Sequence, residues 1–189
     1  MKLLEDKILK EGKVLEGGIL KVDGFLNHRL DTALIAELGA DIAREFASCG
    51  ATLIMTVEAS GISIAYAAGV KMGLPVLVAK KQKTLNISDG VYTAPVFSFT
   101  HKTQNTVLVS KEYLSKGDKV LIVDDFLATG NAAVGLLSLV EQAGAACVGF
   151  VAAIEKAEQG GRALIEGKGV KVYSLACIKE LRAGEIKFN

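Results

Sequence analysis

The chain has 189 residues, half of them hydrophobic, and 22 Lys and Arg against 21 Asp and Glu give a net charge of +1. That balance offers no electrostatic footprint for nucleic acid or an anionic membrane, so any phosphate must be bound locally. The length fits one domain of the usual ~150 residues, able to bury ~70% of its unfolded surface without a metal or disulfide staple.

Taken in chain order, Met1-Lys2-Leu3-Leu4-Glu5-Asp6-Lys7 breaks its apolar pattern with charge at once, which predicts no secretory leader. Residues 17–31 are too apolar for a tail and too glycine-rich for a helix, so 1–30 reads as a small hood segment. Asp31 can cap a helix whose Leu34, Ile35, Leu38, Ile42 and Phe46 share a face, ending near Cys49-Gly50. Leu53 to Val57 is expected as a buried strand, Ile62 to about Met72 as a small-residue helix stopped by Gly73 and Pro75, and Val76 to Ala79 as the next strand. From Gln82 to Ser110 the alternation fails, and Tyr92, Val96, Phe97 and Phe99 mix with polar residues. This stretch suggests a long hairpin or a mobile excursion; long excursions in compact domains are usually functional lids or disordered, and a lid is favoured here over an inert hairpin. A second unit follows: strand Val120 to Val123, helix from about Asn131 to Ala143, strand Cys147 to Ile154, then a helix near Arg162 to Glu166 and a strand Val170 to Leu175. Right-handed crossovers turn such units into an α/β fold, a central parallel sheet with helices on both faces. Pro75 and Pro95 mark no linker, so residues 1–189 are expected to form a single domain.

The most informative stretch is 120 to 132, Val-Leu-Ile-Val-Asp-Asp-Phe-Leu-Ala-Thr-Gly-Asn-Ala. An apolar strand delivers Asp124 and Asp125 to the crevice at its carboxyl end, and a helix beginning after the small-residue turn aims free N–H groups at an anion. Such acids suit hydroxyls, and such a turn suits phosphate. Glu58-Ala59-Ser60-Gly61 has the same strand-to-helix placement and is either a second anion loop or a plain helix cap. Lys80-Lys81-Gln82-Lys83 ends the following strand, as a ligand contact or as a solvated cationic edge. Other chemistries lack their signatures: there is no Gly-x-Ser-x-Gly elbow and no Walker lysine, and His28 and His101 are too few for a metal cluster. Cys49, Cys147 and Cys177 are odd in number and far apart, which predicts reduced thiols in a cytoplasmic protein; no apolar run approaches ~18 residues.

The wording of 120–132, apolar strand, two acids, two apolar residues, Ala-Thr-Gly, resembles the phosphoribosyl diphosphate (PRPP) motif of the type I phosphoribosyltransferases. The resemblance implies that fold, with a hood and a flexible lid over 82–110, and a dimeric enzyme that breaks the bond between ribose and pyrophosphate while a nitrogen base attacks. By the same resemblance Asp124 and Asp125 are the catalytic acids on the ribose hydroxyls. The turn of Ala128, Thr129, Gly130, Asn131 and Ala132 wraps the 5′-phosphate, Ser60 and Gly61 belong to the pyrophosphate loop, and Lys81 adds a pyrophosphate contact. Magnesium arrives with PRPP rather than in a protein-built metal site.

Two departures narrow the base. Purine members that take hypoxanthine or guanine carry an Asp where this chain has Ala128, and the commoner turn ends in a hydroxyl residue where this chain has Asn131 and Ala132. Residues 17–31 and this turn variant resemble the xanthine branch of the family. That implies purine contacts from the backbone at Leu20, the amide of Asn27, the Lys156 ammonium and the Phe126 ring, although Phe126 also reads as core. The implied reaction joins PRPP to N9 of xanthine, giving XMP and pyrophosphate in purine salvage. Ala128 equally suits an adenine transferase. A PRPP-sensing regulator is the alternative of another class; it would carry a winged helix for DNA, for which the segment ahead of Asp31 is too short.

Overall fold

The computed structural model describes residues 1–82, 90–98, 103–182 and 185–189. The chain opens on α1 (Lys2–Glu11), in which Leu4 and Ile8, one turn apart, are fully buried. Its exposed face carries the ion pairs Lys2–Asp6 and Lys7–Glu11. This helix is absent from the sequence expectation because six of its ten residues are charged and only Leu4 and Ile8 face the core. Strands β1 (Lys13–Leu15) and β2 (Ile19–Lys21) then form a small antiparallel hairpin turning at Gly17 and Gly18, both with positive φ. A wide turn over Asp23–Asn27 buries Phe25 and Leu26.

Asp31 caps α2 (Thr32–Glu45) as expected, its carboxylate accepting the Leu34 N–H at 3.1 Å. β3 (Leu53–Val57) is buried throughout, and α3 (Ile62–Met72) ends on Gly73, whose φ of 67° supplies the left-handed cap. α2 and α3 cross closely because Gly39 has no side chain: a Cβ there would stand 2.5 Å from the Ala67 backbone. β4 (Val76–Gln82) follows, and then β5 (Val91–Ser98) and β6 (Thr103–Ser110) pair as the expected hairpin. The parts of the lid expectation at 83–89 and 99–102 lie outside the described residues.

The second half runs β7 (Lys119–Leu127), α4 (Asn131–Gln142), β8 (Ala146–Lys156), a 3₁₀ turn (Ala157–Gln159), α5 (Gly161–Glu166), β9 (Val172–Arg182) and β10 (Glu185–Phe188). Eight strands form one sheet in the order β10-β9-β8-β7-β3-β4-β6-β5. The five from β9 to β4 are parallel. The sheet is nevertheless mixed rather than wholly parallel. β10 folds back on β9, and β6 pairs antiparallel with β4 through Lys80–Gln82, carrying β5 to the edge. Pro95 is tolerated there because an edge strand has one row of N–H groups without a ladder to join.

Two apolar layers flank the sheet. One packs α4, α5 and the β5–β6 hairpin against residues such as Ile122, Ala152 and Val172. The other packs α1, α2 and α3 against Ile54, Val123 and Ala153. Because β3, β7 and β8 point the same way, their carboxyl ends meet at one rim, where ligands of open α/β sheets bind. Among the described residues no helix is long and apolar enough to cross a membrane.

Candidate active site

A cleft of about 760 Å³ opens at that rim, lined by the ends of β3, β4, β7 and β8, the turn into α4, and the β1–β2 turn. β7 supplies its centre. Its pairing with β8 continues past the apolar run through Asp124, Phe126 and Leu127, so the two acids stand within the strand rather than beyond it. Asp124 is 4% exposed, and burial, then the neighbouring Asp125 charge, push its carboxyl well above the usual range. The Asp125 N–H donates to Asp124 Oδ1 at 3.0 Å, and the Asn27 amide donates to Asp125 Oδ2 at 3.2 Å. Two carboxyls of unlike environment thus sit side by side, one buried with its pKa pushed upward and one open to the cleft.

After Leu127 the chain turns through Ala128, Thr129 and Gly130 into α4, and all five residues from Ala128 to Ala132 line the cleft. Gly130 takes a φ of 86°, and α4 has no side-chain cap, so its first N–H groups are directed at the cleft without an internal acceptor. The Asn131 amide donates to Thr129 Oγ1 at 3.0 Å, so this side chain stiffens the turn. A second uncapped helix start lies opposite, at α3, preceded by Glu58, Ala59 and Ser60 on the cleft wall. Gly61 itself backs onto the acids: a Cβ there would stand 2.3 Å from Thr56 Oγ1 and 3.0 Å from Asp124 Oδ1. Lys81 reaches the cleft, whereas Lys80 turns to Glu58, 3.3 Å away. The Lys81 N–H, at 2.6 Å, and then the Lys80 ammonium hold the Glu58 carboxyl below its usual range.

The far end of the cleft is closed by the hood. Lys156, half-buried at the end of β8, donates to the Gly18 carbonyl at 3.0 Å and lies 6.0 Å from the centre of the Phe126 ring. Burial lowers its pKa. Leu20 does not form the wall. Strand alternation turns its side chain into the core, 6% exposed, and leaves Gly17, Gly18 and Ile19 facing the cleft. Asn27 stands at the boundary with a second, largely apolar cavity of about 650 Å³ on the outer faces of α2 and α3, where Leu30, Tyr66 and Val70 are exposed.

Sequence reading missed several cleft residues. Gln159 follows Lys156 into the wall, Val96, Asn105 and Val107 arrive from the β5–β6 hairpin, and behind it the buried Glu155 pairs with the half-exposed Arg162. Only the last left a trace: a glutamate ending an apolar strand run needs a partner. Among the described residues no group of three or more His, Cys, Asp or Glu could hold a metal ion.

Residues 21–172 match the phosphoribosyl transferase domain family. The chain is 47% identical over 188 residues to xanthine phosphoribosyltransferases of Pseudomonas putida, covering all of this chain and 99% of the relative. The figure is again 47% over 188 residues for that of Bacillus thuringiensis, where 95% of the relative is covered. Among solved structures, adenine phosphoribosyltransferase from Rhodothermus marinus superposes with a TM-score of 0.73 at 21% identity, covering 94% of this chain and 99% of that one. The Saccharomyces cerevisiae enzyme complexed with an imino-altritol bisphosphate and adenine gives 0.72 at 20% identity, with 93% and 99% covered. At such identities the structures share the fold.

Proposed function

The chain belongs to the phosphoribosyltransferase family, and on that premise we propose that it transfers the phosphoribosyl group of PRPP to N9 of xanthine, releasing pyrophosphate and forming XMP. The observation that carries the base assignment is identity of 47% along the whole chain to proteins of that activity. The cleft supports it, because one groove joins an anion-binding turn, an acid pair and a buried cation.

In this reading the 128–132 turn and the start of α4 hold the 5′-phosphate, and Ser60, with the backbone around Gly61, and Lys81 receive the pyrophosphate. Asp124 and Asp125 hold the ribose hydroxyls. Loss of pyrophosphate takes the bonding pair from the anomeric carbon, so positive charge grows on the ring as N9 closes on its opposite face. The acid pair stabilises that growth at short range. Burial, then the Asp125 charge, favours the protonated form of Asp124, which can donate a hydrogen bond to a ribose hydroxyl. Asp125 offers an oxygen donor of the right hardness for the magnesium that PRPP would carry, which would supply charge neutralisation for the pyrophosphate. With Ala128 in place of an acid, the base proton leaves to solvent, which suits a purine as acidic as xanthine.

Lys156 complements a purine oxygen, the Asn27 amide and the backbone around Leu20 close the hood over the ring, and Phe126 stacks against it. The β5–β6 hairpin serves as the lid. The second cavity, with Tyr66, Val70 and Leu30 exposed beside it, suits burial against a second copy of the chain. A homodimer in the cytoplasm is the assembly proposed, and a monomer mass by sedimentation equilibrium would overturn it. Phosphoribosyl transfer measured spectrophotometrically with each purine base tests the central reading. Turnover is expected with xanthine, and use of adenine but not xanthine refutes the base assignment.

A further inference from the structure

Glu155 is a carboxylate in an otherwise apolar part of the sheet, 1% exposed. It sits in the register row between Leu127 of β7 and Cys177 of β9. Arg162, near the start of α5, satisfies it with a fork: Nε donates to Oε1 at 2.9 Å and Nη2 donates to Oε2. The Ser174 hydroxyl donates to the same Oε2. The remaining guanidinium nitrogen donates to the Val172 carbonyl at 2.9 Å and to Glu166 at 3.1 Å. One side chain therefore ties together β8, α5 and β9. Burial alone would raise the Glu155 carboxyl, but the Arg162 and Ser174 hydrogen bonds and the Arg162 charge hold it below its usual range. Burying the Glu155 carboxylate carries a desolvation cost that a packed apolar residue lacks, so its use here calls for a reason beyond stability.

The immediate neighbours of the pair supply one. Gly161 precedes Arg162, and its N–H donates to the Ala128 carbonyl at 3.0 Å. The contact is backbone on backbone: a Cβ at 161 would stand 2.4 Å from that oxygen and 2.9 Å from the Gly130 nitrogen. The 128–130 turn thus lies directly on the start of α5. Lys156 follows Glu155, and strand alternation sends it to the opposite side of the sheet, toward Gly18 and Phe126.

We propose that Glu155 and Arg162 form a positioning brace that sets the 5′-phosphate turn and the base-facing Lys156 at fixed separation, across the bond being made. This rests on the phosphoribosyl-transfer reading of the cleft. Neither residue lines the cleft, so both act through others.

Calorimetric titration of PRPP into the wild type, Arg162→Ala, Arg162→Lys and Gly161→Ala, with melting temperatures and xanthine kinetics on the same samples, tests it. Arg162→Ala is expected to lower kcat/KM for PRPP about 10²-fold, the scale of a misplaced substrate group, and added guanidinium should restore most of the loss. Arg162→Lys should rescue little, because an ammonium cannot fork. Gly161→Ala keeps the ion pair but presses on the backbone of the turn, so PRPP affinity should fall about tenfold, with some loss of melting temperature. Wild-type PRPP affinity in either Ala variant, or an Arg162→Ala loss that follows the melting temperature and resists guanidinium, overturns the brace. Should Arg162→Ala fail to fold, Arg162→Lys decides: wild-type PRPP affinity and turnover there overturn the brace. A wild type that binds PRPP without using xanthine refutes the base assignment while leaving the PRPP titrations decisive for the brace.

Discussion

The two ends of the cleft are built differently. At the 128–132 end, one unbroken strand, turn and helix presents backbone N–H groups, with a left-handed Gly130 and a Thr129–Asn131 hydrogen bond to fix the turn. At the hood end, partners come from opposite extremes of the chain: Lys156 meets Gly18 and Asp125 meets Asn27. The first is local and rigid, the second is assembled by tertiary folding through side chains. A cleft made this way can keep one substrate fixed while the other is altered.

Removing the acids should break both ends together and give the largest effect. Replacing Asp124 and Asp125 by Asn is expected to lower turnover at least ~10²-fold in steady-state assays, the scale of losing a preorganised electrostatic contact. The single change Asp124→Asn adds a stability test. Because the folded carboxyl binds its proton to higher pH than the unfolded one, folded stability falls as pH rises from the ordinary aspartate value of 3.8 toward the raised folded value. Asn escapes that loss, so Asp124→Asn should melt no lower than wild type at neutral pH while losing activity. A markedly lower melting point would show that the carboxylate is a structural anchor.

Lys156→Ala separates the ends. It should raise the KM for xanthine at least about tenfold, from a charged hydrogen bond worth ~1.5–3 kcal/mol, and change that for PRPP far less. Equal effects on both substrates would mean that the hood and the phosphate turn are one unit. A pH profile sharpens the same contrast. Burial lowers the Lys156 pKa, so the ammonium is lost below the ordinary lysine value of 10.5, and xanthine affinity should weaken as pH rises through that lowered value. Lys156→Arg, which stays charged, should remove this alkaline weakening from the difference between the two enzymes. The smallest effect is expected from Asn27→Ala, where one neutral donor is lost from Asp125. A few-fold rise in KM for both substrates would place Asn27 at the junction, and none at all would remove it from the site.

The contrast also explains what was legible in the sequence. β3 and α3 were readable to the residue because each is bounded by local chemistry, the Gly73 cap and Pro75 above all. The 120–132 turn was readable for the same reason. β7 ran four residues past its apolar stretch because pairing with β8 persists after the pattern turns acidic, which no property of 124–127 alone reveals. α1 was hidden by its charge, and β10 by its shortness. The Leu20 expectation concerned its backbone; its side chain lies in the core while Gly17, Gly18 and Ile19 line the cleft, a division set by the pleat. The Glu155–Arg162 pair spans an intervening turn and declares itself only once β8 and α5 are packed.

Lys156 is held by a main-chain carbonyl, not by a side chain, and Gly18 carries that carbonyl at a φ of 71°. Point substitution of residue 18 cannot delete the acceptor; it can only strain the bend that presents it. Evolution toward a different purine would therefore proceed by lengthening or shortening the β1–β2 turn, shifting where the lysine is parked, more readily than by exchanging residues within it. Laboratory recombination of this turn between related enzymes would explore the same route, with the phosphate turn left untouched.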